Sequence, residues 1–144
     1  MEWDYRKKPR GCRPFRKKPD IVPCPEARCR FKNLQYPSLN AIEMCVIDTG
    51  STYCALPSTV VEQLQPALKR IVTIQDIRGR SAEETGYFVD AELFDESSKE
   101  RAPCGPILAI KFKATGPSIL GRQLLNQFVM TLDGPMGKCR IDGT

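Results

Sequence analysis

The sequence of 144 residues contains no histidine, and this absence removes several kinds of catalytic site. A Ser-His-Asp triad, a Cys-His nucleophile pair and an H-E-x-x-H zinc site are all excluded, because each needs an imidazole. Any hydrolytic chemistry must therefore use carboxylates, lysine or tyrosine as proton carriers.

Long apolar runs are also absent. No segment approaches the roughly 20 apolar residues that a membrane-spanning helix requires. The basic N-terminus has no apolar run behind it, so it does not resemble a secretory signal. We therefore expect a cytoplasmic protein without a membrane span. Hydrophobic residues (41%) and charged residues (27%) occur in the proportions of a globular chain that can bury one core.

The seven cysteines are an odd number, which favours free thiols over a disulfide framework. Cys24 and Cys29 have the loosest spacing of zinc ligands, and Cys12 could join them, but no paired C-x-x-C repeat is present. We therefore expect no structural metal and no cofactor. Cys45 and Cys54 are predicted to be small buried hydrophobic residues.

The net charge of +5 lies entirely in residues 1–22, since acidic and basic residues balance in the rest of the chain. This segment has three prolines and few aliphatic residues, which predicts a flexible basic tail followed by one domain over residues 23–144. Trp3, Tyr5 and Phe15 lie among the basic residues, a pattern that also suits weak contact with nucleic acid or an acidic partner. Of the two interpretations, we favour a tail that is only solvated over one that binds nucleic acid or an acidic partner.

The remaining sequence predicts a β-rich domain with two short helices. Apolar and β-branched residues predict strands at 28–34, 41–47, 71–77, 86–94 and 107–112. A hairpin tip is expected at 78–81 and a loop at 95–106. A helix is predicted over 59–68, with Thr59 and Glu62 forming a capping box, and a second over 121–128.

The segment that predicts chemistry is Asp48-Thr49-Gly50-Ser51. An Asp-Thr-Gly triplet alone arises by chance in roughly one chain in forty of this length. Here a buried-type apolar strand, residues 44–47, leads directly into the aspartate. Gly50 permits a backbone turn that most residues could not make.

About seventy residues later, Ile119-Leu120-Gly121-Arg122 opens the second predicted helix. Together with Asp48-Thr49-Gly50 and the hairpin tip at 78–81, this segment resembles the retropepsin-like aspartic proteases over residues 28–134. In that family a strand ends in Asp-Thr-Gly, a glycine-containing flap follows, and an apolar-apolar-Gly-Arg segment comes later. The resemblance implies an all-β, closed acid-protease barrel with one or two short helices.

The resemblance also implies roles for particular residues. Asp48 would be the catalytic aspartate, Thr49 would hold two active-site loops together across a dimer, and Gly50 would let backbone N–H groups approach the carboxylate. The substrate-binding residues that it implies are Ser51, the flap-tip residues Ile77, Arg78 and Gly79, and Ile119 and Leu120. After Gly134 the sequence shows no clear dimer-forming strand.

Peptide hydrolysis without a metal or a covalent nucleophile needs an acid and a base together, and two close carboxylates that share a proton supply both. This chain has a single Asp-Thr-Gly, so the pair would come from two copies of Asp48 in a homodimer. The sequence thus predicts a homodimeric aspartic endopeptidase that acts on an extended polypeptide through an activated water.

Two alternatives remain open. One is a retropepsin-fold module that binds peptides or assembles with a partner but cleaves poorly. The other is a nucleic-acid-associated protein that acts through the basic tail of residues 1–22. Loss of salt-sensitive binding on deletion of that tail would favour the second alternative.

Overall fold

The structure, a computed structural model, describes residues 1–4, 25–113 and 116–143. The predicted basic tail, and with it Cys12 and Cys24, lies outside the described residues except for residues 1–4. Within that short segment Glu2–Asp4 form a strand, β1. The boundary between tail and domain stays a prediction.

The described chain contains ten strands and two short helices. After β1 the strands are β2 (Glu26–Lys32), β3 (Asn40–Ile47), β4 (Cys54–Pro57), β5 (Lys69–Gln75), β6 (Ser81–Phe94), β7 (Arg101–Phe112), β8 (Ile119–Leu120), β9 (Phe128–Asp133) and β10 (Lys138–Gly143). The helices are α1 (Ser58–Leu64) and α2 (Arg122–Leu125). In β2 the buried residues Ala27, Cys29 and Phe31 alternate with half-buried ones, as expected for a strand with one face on the core.

Six strands form a closed barrel. The hydrogen-bonded order is β2-β3-β8-β4-β7-β6, and β2 also pairs with β6 through Cys29–Lys32, which closes the ring. Most neighbours are antiparallel, but β3–β8 and β4–β7 are parallel. The predicted all-β closed barrel with one or two short helices is therefore confirmed.

Strand β6 extends beyond the barrel and carries a hairpin. Its first half, from Ser81 to Tyr87, pairs in antiparallel fashion with β5, whereas its second half forms barrel wall with β7 and β2. Residues 69–87, named here the 69–87 hairpin, thus continue directly from a barrel strand. Among the described residues β5 pairs with β6 alone, so its other edge is open.

The prediction of a loop over 95–106 is wrong at its second half, because β7 begins at Arg101. Two prolines in this segment, Pro103 and Pro106, argued against a strand. They are tolerated because this part of β7 pairs only with β6 among the described residues, since β4 reaches no further than Ala109. A proline whose nitrogen faces an open strand edge removes no ladder hydrogen bond.

Both helices are shorter than predicted. The capping box of Thr59 and Glu62 does not form, because β4 runs directly into α1 and Pro57 occupies the N-cap without a side-chain cap. Helix α1 ends where Gln65 takes a left-handed conformation, with φ of 48°. Burial of Val60, Val61 and Leu64 fixes the helix against the barrel.

The hydrophobic core, to which the barrel strands, both helices and β10 contribute, consists of aliphatic, aromatic and cysteine side chains. The largest of the fully buried ones are Phe31, Leu56, Leu64, Leu93, Ile107, Leu120, Leu124 and Ile141. Cys45 and Cys54 are both 0% exposed, which confirms their prediction as buried hydrophobic residues. Burial raises the pKa of the Cys54 thiol to about 12, so it stays protonated at neutral pH.

A second sheet joins the two ends of the described chain. Its strand order is β1-β10-β9, and all of its pairs are antiparallel. Strand β10 lies after Gly134, where the sequence showed no clear dimer-forming strand, and within this chain it pairs with β1 and β9; Cys139 and Ile141 are its buried residues. No helix in the described parts of the chain has the length and apolar character needed to cross a membrane.

Phe31 lies on the strand that closes the barrel, and its side chain is fully buried. We expect Phe31→Ala to lower the free energy of unfolding by about 3–5 kcal/mol, because the substitution leaves a cavity in the core. Urea denaturation would measure this. The control, Tyr36→Ala at a side chain that is 62% exposed, should change stability by less than about 0.5 kcal/mol. Equal effects of both substitutions would contradict the barrel closure described here.

Candidate active site

Asp48 lies immediately after β3, at the point where this strand leaves the barrel wall. Its backbone N–H donates a hydrogen bond of 3.0 Å to the carbonyl of Leu120 in β8. One residue earlier, the Ile47 N–H donates to the carbonyl of Pro25 at 2.9 Å. The aspartate is therefore positioned by backbone hydrogen bonds to β8 and to the residue that precedes β2.

The carboxylate of Asp48 is oriented by its own loop. Oδ1 accepts a hydrogen bond of 2.9 Å from the backbone N–H of Gly50, and Oδ2 accepts one of 2.9 Å from Oγ of Ser51. Asp48 is half-buried, whereas Thr49 and Gly50 are exposed. Since an ionised carboxylate accepts about four hydrogen bonds, both oxygens can also accept from a water.

Gly121 holds the next segment of chain tightly against this loop. A Cβ atom at this position would lie 2.2 Å from the backbone oxygen of Tyr53, so no larger residue fits without a shift. The following N–H, that of Arg122, donates to the carbonyl of Ser51 at 2.9 Å. The loop carbonyls thus satisfy N–H groups that the start of a helix leaves free.

The tip of the 69–87 hairpin is held by Asp76. Its Oδ1 accepts hydrogen bonds from the backbone N–H groups of Arg78 (2.8 Å) and Arg80 (2.9 Å). Its Oδ2 accepts from Nε of Arg80 at 2.9 Å. Gly79 takes φ of +78°, a conformation that suits glycine. Ile77 is left fully exposed at the tip.

Strand β5 of the same hairpin packs against the segment that follows the Asp48 loop. Val72 of β5 and Leu108 and Ile110 of β7 form an apolar cluster, against which Tyr53 and Ile74 pack. Tyr53 comes from the chain that follows Asp48-Thr49-Gly50, so this cluster joins the hairpin to the loop that carries the carboxylate.

An open groove of about 930 Å³ lies where the hairpin separates from the barrel wall. The apolar part of its lining comes from four segments: β4, the hairpin, the end of β7 and β8. Residues that contribute are Ala55, Ile74, Tyr87, Ile110, Phe112 and Ile119. A groove of this size can take several side chains of an extended peptide.

The residues predicted from the sequence lie at three places in the structure. Asp48, Gly50 and Ser51 form one hydrogen-bonded loop, to which Leu120 is bound through its carbonyl. Ile119 lines the groove, and Ile77, Arg78 and Gly79 form the hairpin tip. Among the described residues, Thr49 has no hydrogen-bond partner for its side chain.

Sequence reasoning did not identify Tyr53, Asp76 or Lys111 as parts of this region. The signal for Asp76 was present, because aspartate before a turn often accepts hydrogen bonds from the following N–H groups. Tyr53 and Lys111 carried no such signal, since their positions depend on pairings between strands that are distant in sequence.

Comparisons of this chain with known proteins give similarity at the level of three-dimensional structure. No protein-family model and no curated protein matches the sequence. The chain is similar to the solution structure of the simian foamy virus (mac) protease, with 12% identity, a TM-score of 0.44, and coverage of 70% of this chain and 91% of that one. It is also similar to EIAV protease complexed with the inhibitor HBY-793, with 14% identity, a TM-score of 0.44, and coverage of 74% and 89%. The fold and the site therefore rest on the strand pairings and contacts of this chain itself.

Gly121→Ala should lower the free energy of unfolding by about 1–3 kcal/mol or more, because the added methyl group overlaps the Tyr53 carbonyl. Thermal denaturation would measure the loss. Gly134→Ala is the matched control: a Cβ there meets nothing within 4 Å, so stability should change by less than about 0.5 kcal/mol. A stable Gly121→Ala protein would contradict the close packing described above.

Acidification should release the hairpin tip. The backbone N–H of Arg80, with further hydrogen bonds from Arg78 and the Arg80 side chain, lowers the pKa of Asp76. The stabilisation is therefore complete above the unfolded-state pKa and is lost as pH falls through the lower folded value. An NMR titration should show the Arg78 and Arg80 amide signals moving together at that low pH. Asp76→Asn should abolish the transition; its persistence in that variant would exclude Asp76 as the cause.

Proposed function

We propose that this chain is a retropepsin-like aspartic endopeptidase that acts as a homodimer. The observation that supports this most strongly is the state of Asp48: a carboxylate at the end of a barrel strand, with each oxygen held by a hydrogen bond from its own loop. The chain that follows this loop contributes Tyr53 to the apolar cluster at the hairpin and Ala55 to the lining of the groove. A carboxylate held by two hydrogen bonds, on a segment that continues into the wall of a peptide-sized groove, suits acid–base hydrolysis.

The proposed chemistry uses two Asp48 carboxyl groups that share one proton, the arrangement established for aspartic proteases. The ionised carboxylate takes a proton from a water, whose oxygen adds to the scissile carbonyl carbon. The protonated carboxyl donates its proton to the carbonyl oxygen. Return of a proton to the amide nitrogen then breaks the C–N bond.

A second copy of the chain is needed because no other aspartate in the sequence is followed by Thr-Gly or Ser-Gly. In a symmetric dimer the same loop from both chains meets itself at the twofold axis. Thr49 and Gly50, which are exposed in the single chain, would then be covered by the partner loop. The resulting carboxyl pair titrates as one unit.

The proposed substrate is an extended polypeptide. Strand β5 has an open edge among the described residues, so a peptide backbone can add to it as a further strand. Apolar side chains of the peptide would enter the groove beside Ile74, Tyr87 and Ile119. These contacts favour cleavage next to hydrophobic residues.

Asp48→Asn should abolish peptide cleavage and leave the fold intact, because the amide cannot accept a proton from water. Incubation with a mixed peptide library at several pH values, followed by mass spectrometry, measures this. Asp90→Asn, on the barrel wall and away from the groove, is the control and should cleave as wild type does.

Two results would change the proposal. Cleavage by Asp48→Asn at a rate comparable to wild type would exclude the carboxyl pair. Absence of cleavage by wild type, together with binding of a statine-type transition-state mimic, would favour the alternative of a module that binds peptides without cutting them.

A further inference from the structure

The apolar groove has basic side chains in its wall. Its charged lining residues are Lys111 and Lys113, near the end of β7, and Glu84 of the hairpin. The groove therefore carries a net positive charge in an otherwise apolar lining. A positive charge beside an apolar surface suits a ligand that has both an apolar and an anionic group.

Lys111 is held in place rather than free in solvent. It is half-buried, and its Nζ lies 5.9 Å from the ring centroid of Tyr87, a cation–π distance. Its neighbours in β7, Ile110 and Phe112, also contribute to the lining of the groove. The ammonium group therefore stays near the groove and loses little side-chain freedom when it binds an anion.

Neither lysine has an acidic partner in the part of the chain that the structure describes. Three basic residues of β2 and β7 differ in this respect, since Arg30, Lys32 and Arg101 all pair with Glu92. The groove lysines keep their charge available for a ligand.

From this arrangement we propose that the groove selects peptides in which an acidic residue lies beside the apolar one that fills it. The apolar side chain contacts Ile74, Tyr87 and Ile119, and the neighbouring carboxylate pairs with the ammonium of Lys111. Lys113 strengthens the positive field. The inference rests on the proposed function, because it names the substrate class of that site. A dense polyanion fits less well, since Glu84 and the apolar lining oppose it.

The test uses fluorescein-labelled peptides with one Leu-Phe pair in a neutral background of Ala, Ser and Gln. Each peptide of the series carries a single Glu in place of Gln, at one of the positions next to the pair. Cleavage is measured as kcat/KM with wild-type protein, and binding as Kd by anisotropy with the Asp48→Asn protein. We expect Glu at one position to improve both by about three- to tenfold at low salt, and less at high salt.

Substitutions of Lys111 test whether this side chain causes the preference for Glu. Lys111→Gln should remove the preference for Glu over Gln, and Lys111→Glu should reverse it in favour of a Lys-containing peptide. Lys99→Gln, an exposed lysine in the loop before β7, is the charge-matched control and should keep the preference.

Each outcome has a distinct meaning. Cleavage of Glu and Gln peptides at equal rates overturns the inference and leaves the proposed protease function intact. Selective binding without cleavage supports the inference and removes the protease function. A Glu preference that survives in Lys111→Gln, binding of none of the peptides, or an oligonucleotide that binds the groove more tightly than they do would also overturn the inference.

Discussion

The close approach of Gly121 to the Tyr53 carbonyl is the contact on which the site depends. It lets β8 and α2 lie directly on the loop after Asp48, and it brings the Arg122 N–H to the Ser51 carbonyl. Ser51 in turn donates to Oδ2 of the carboxylate. The absence of a side chain at Gly121 thus helps to fix the orientation of the Asp48 carboxylate, 73 positions earlier in the sequence. Each segment in this series of contacts is bonded to a strand of the closed barrel. The carboxylate is therefore held by rigid parts of the fold.

Strand β6 connects this site to the rest of the molecule. Its second half closes the barrel against β2 and β7, and its first half carries the 69–87 hairpin. The groove opens where the two halves separate. The hairpin tip is held by hydrogen bonds to Asp76, whereas Val72 and Ile74 of β5 are held by apolar packing with Tyr53 and β7. The tip can therefore change its order with pH or on contact with a peptide while this apolar packing stays in place.

Much of the barrel could be predicted from the sequence, because runs of apolar, β-branched and aromatic residues mark its longer strands. Segments 41–47 and 86–94 are examples, and both lie within observed strands. The prolines of β7 hid its first half, since a strand interior rejects proline but an open strand edge accepts it. The Asp48 loop was recognisable from four consecutive residues. Lys111 was not, because its place in the groove follows from the parallel pairing of β4 with β7, which no local pattern encodes.

The central claim is that two Asp48 side chains from two chains form one catalytic unit. Mixing wild-type and Asp48→Asn protein at constant total concentration tests this most directly, once subunits have exchanged. If activity requires both carboxyl groups, it should fall as the square of the wild-type fraction, so that an equal mixture keeps about one quarter of the activity. A linear fall, with about one half remaining in the equal mixture, would show that each chain acts alone and would contradict the account.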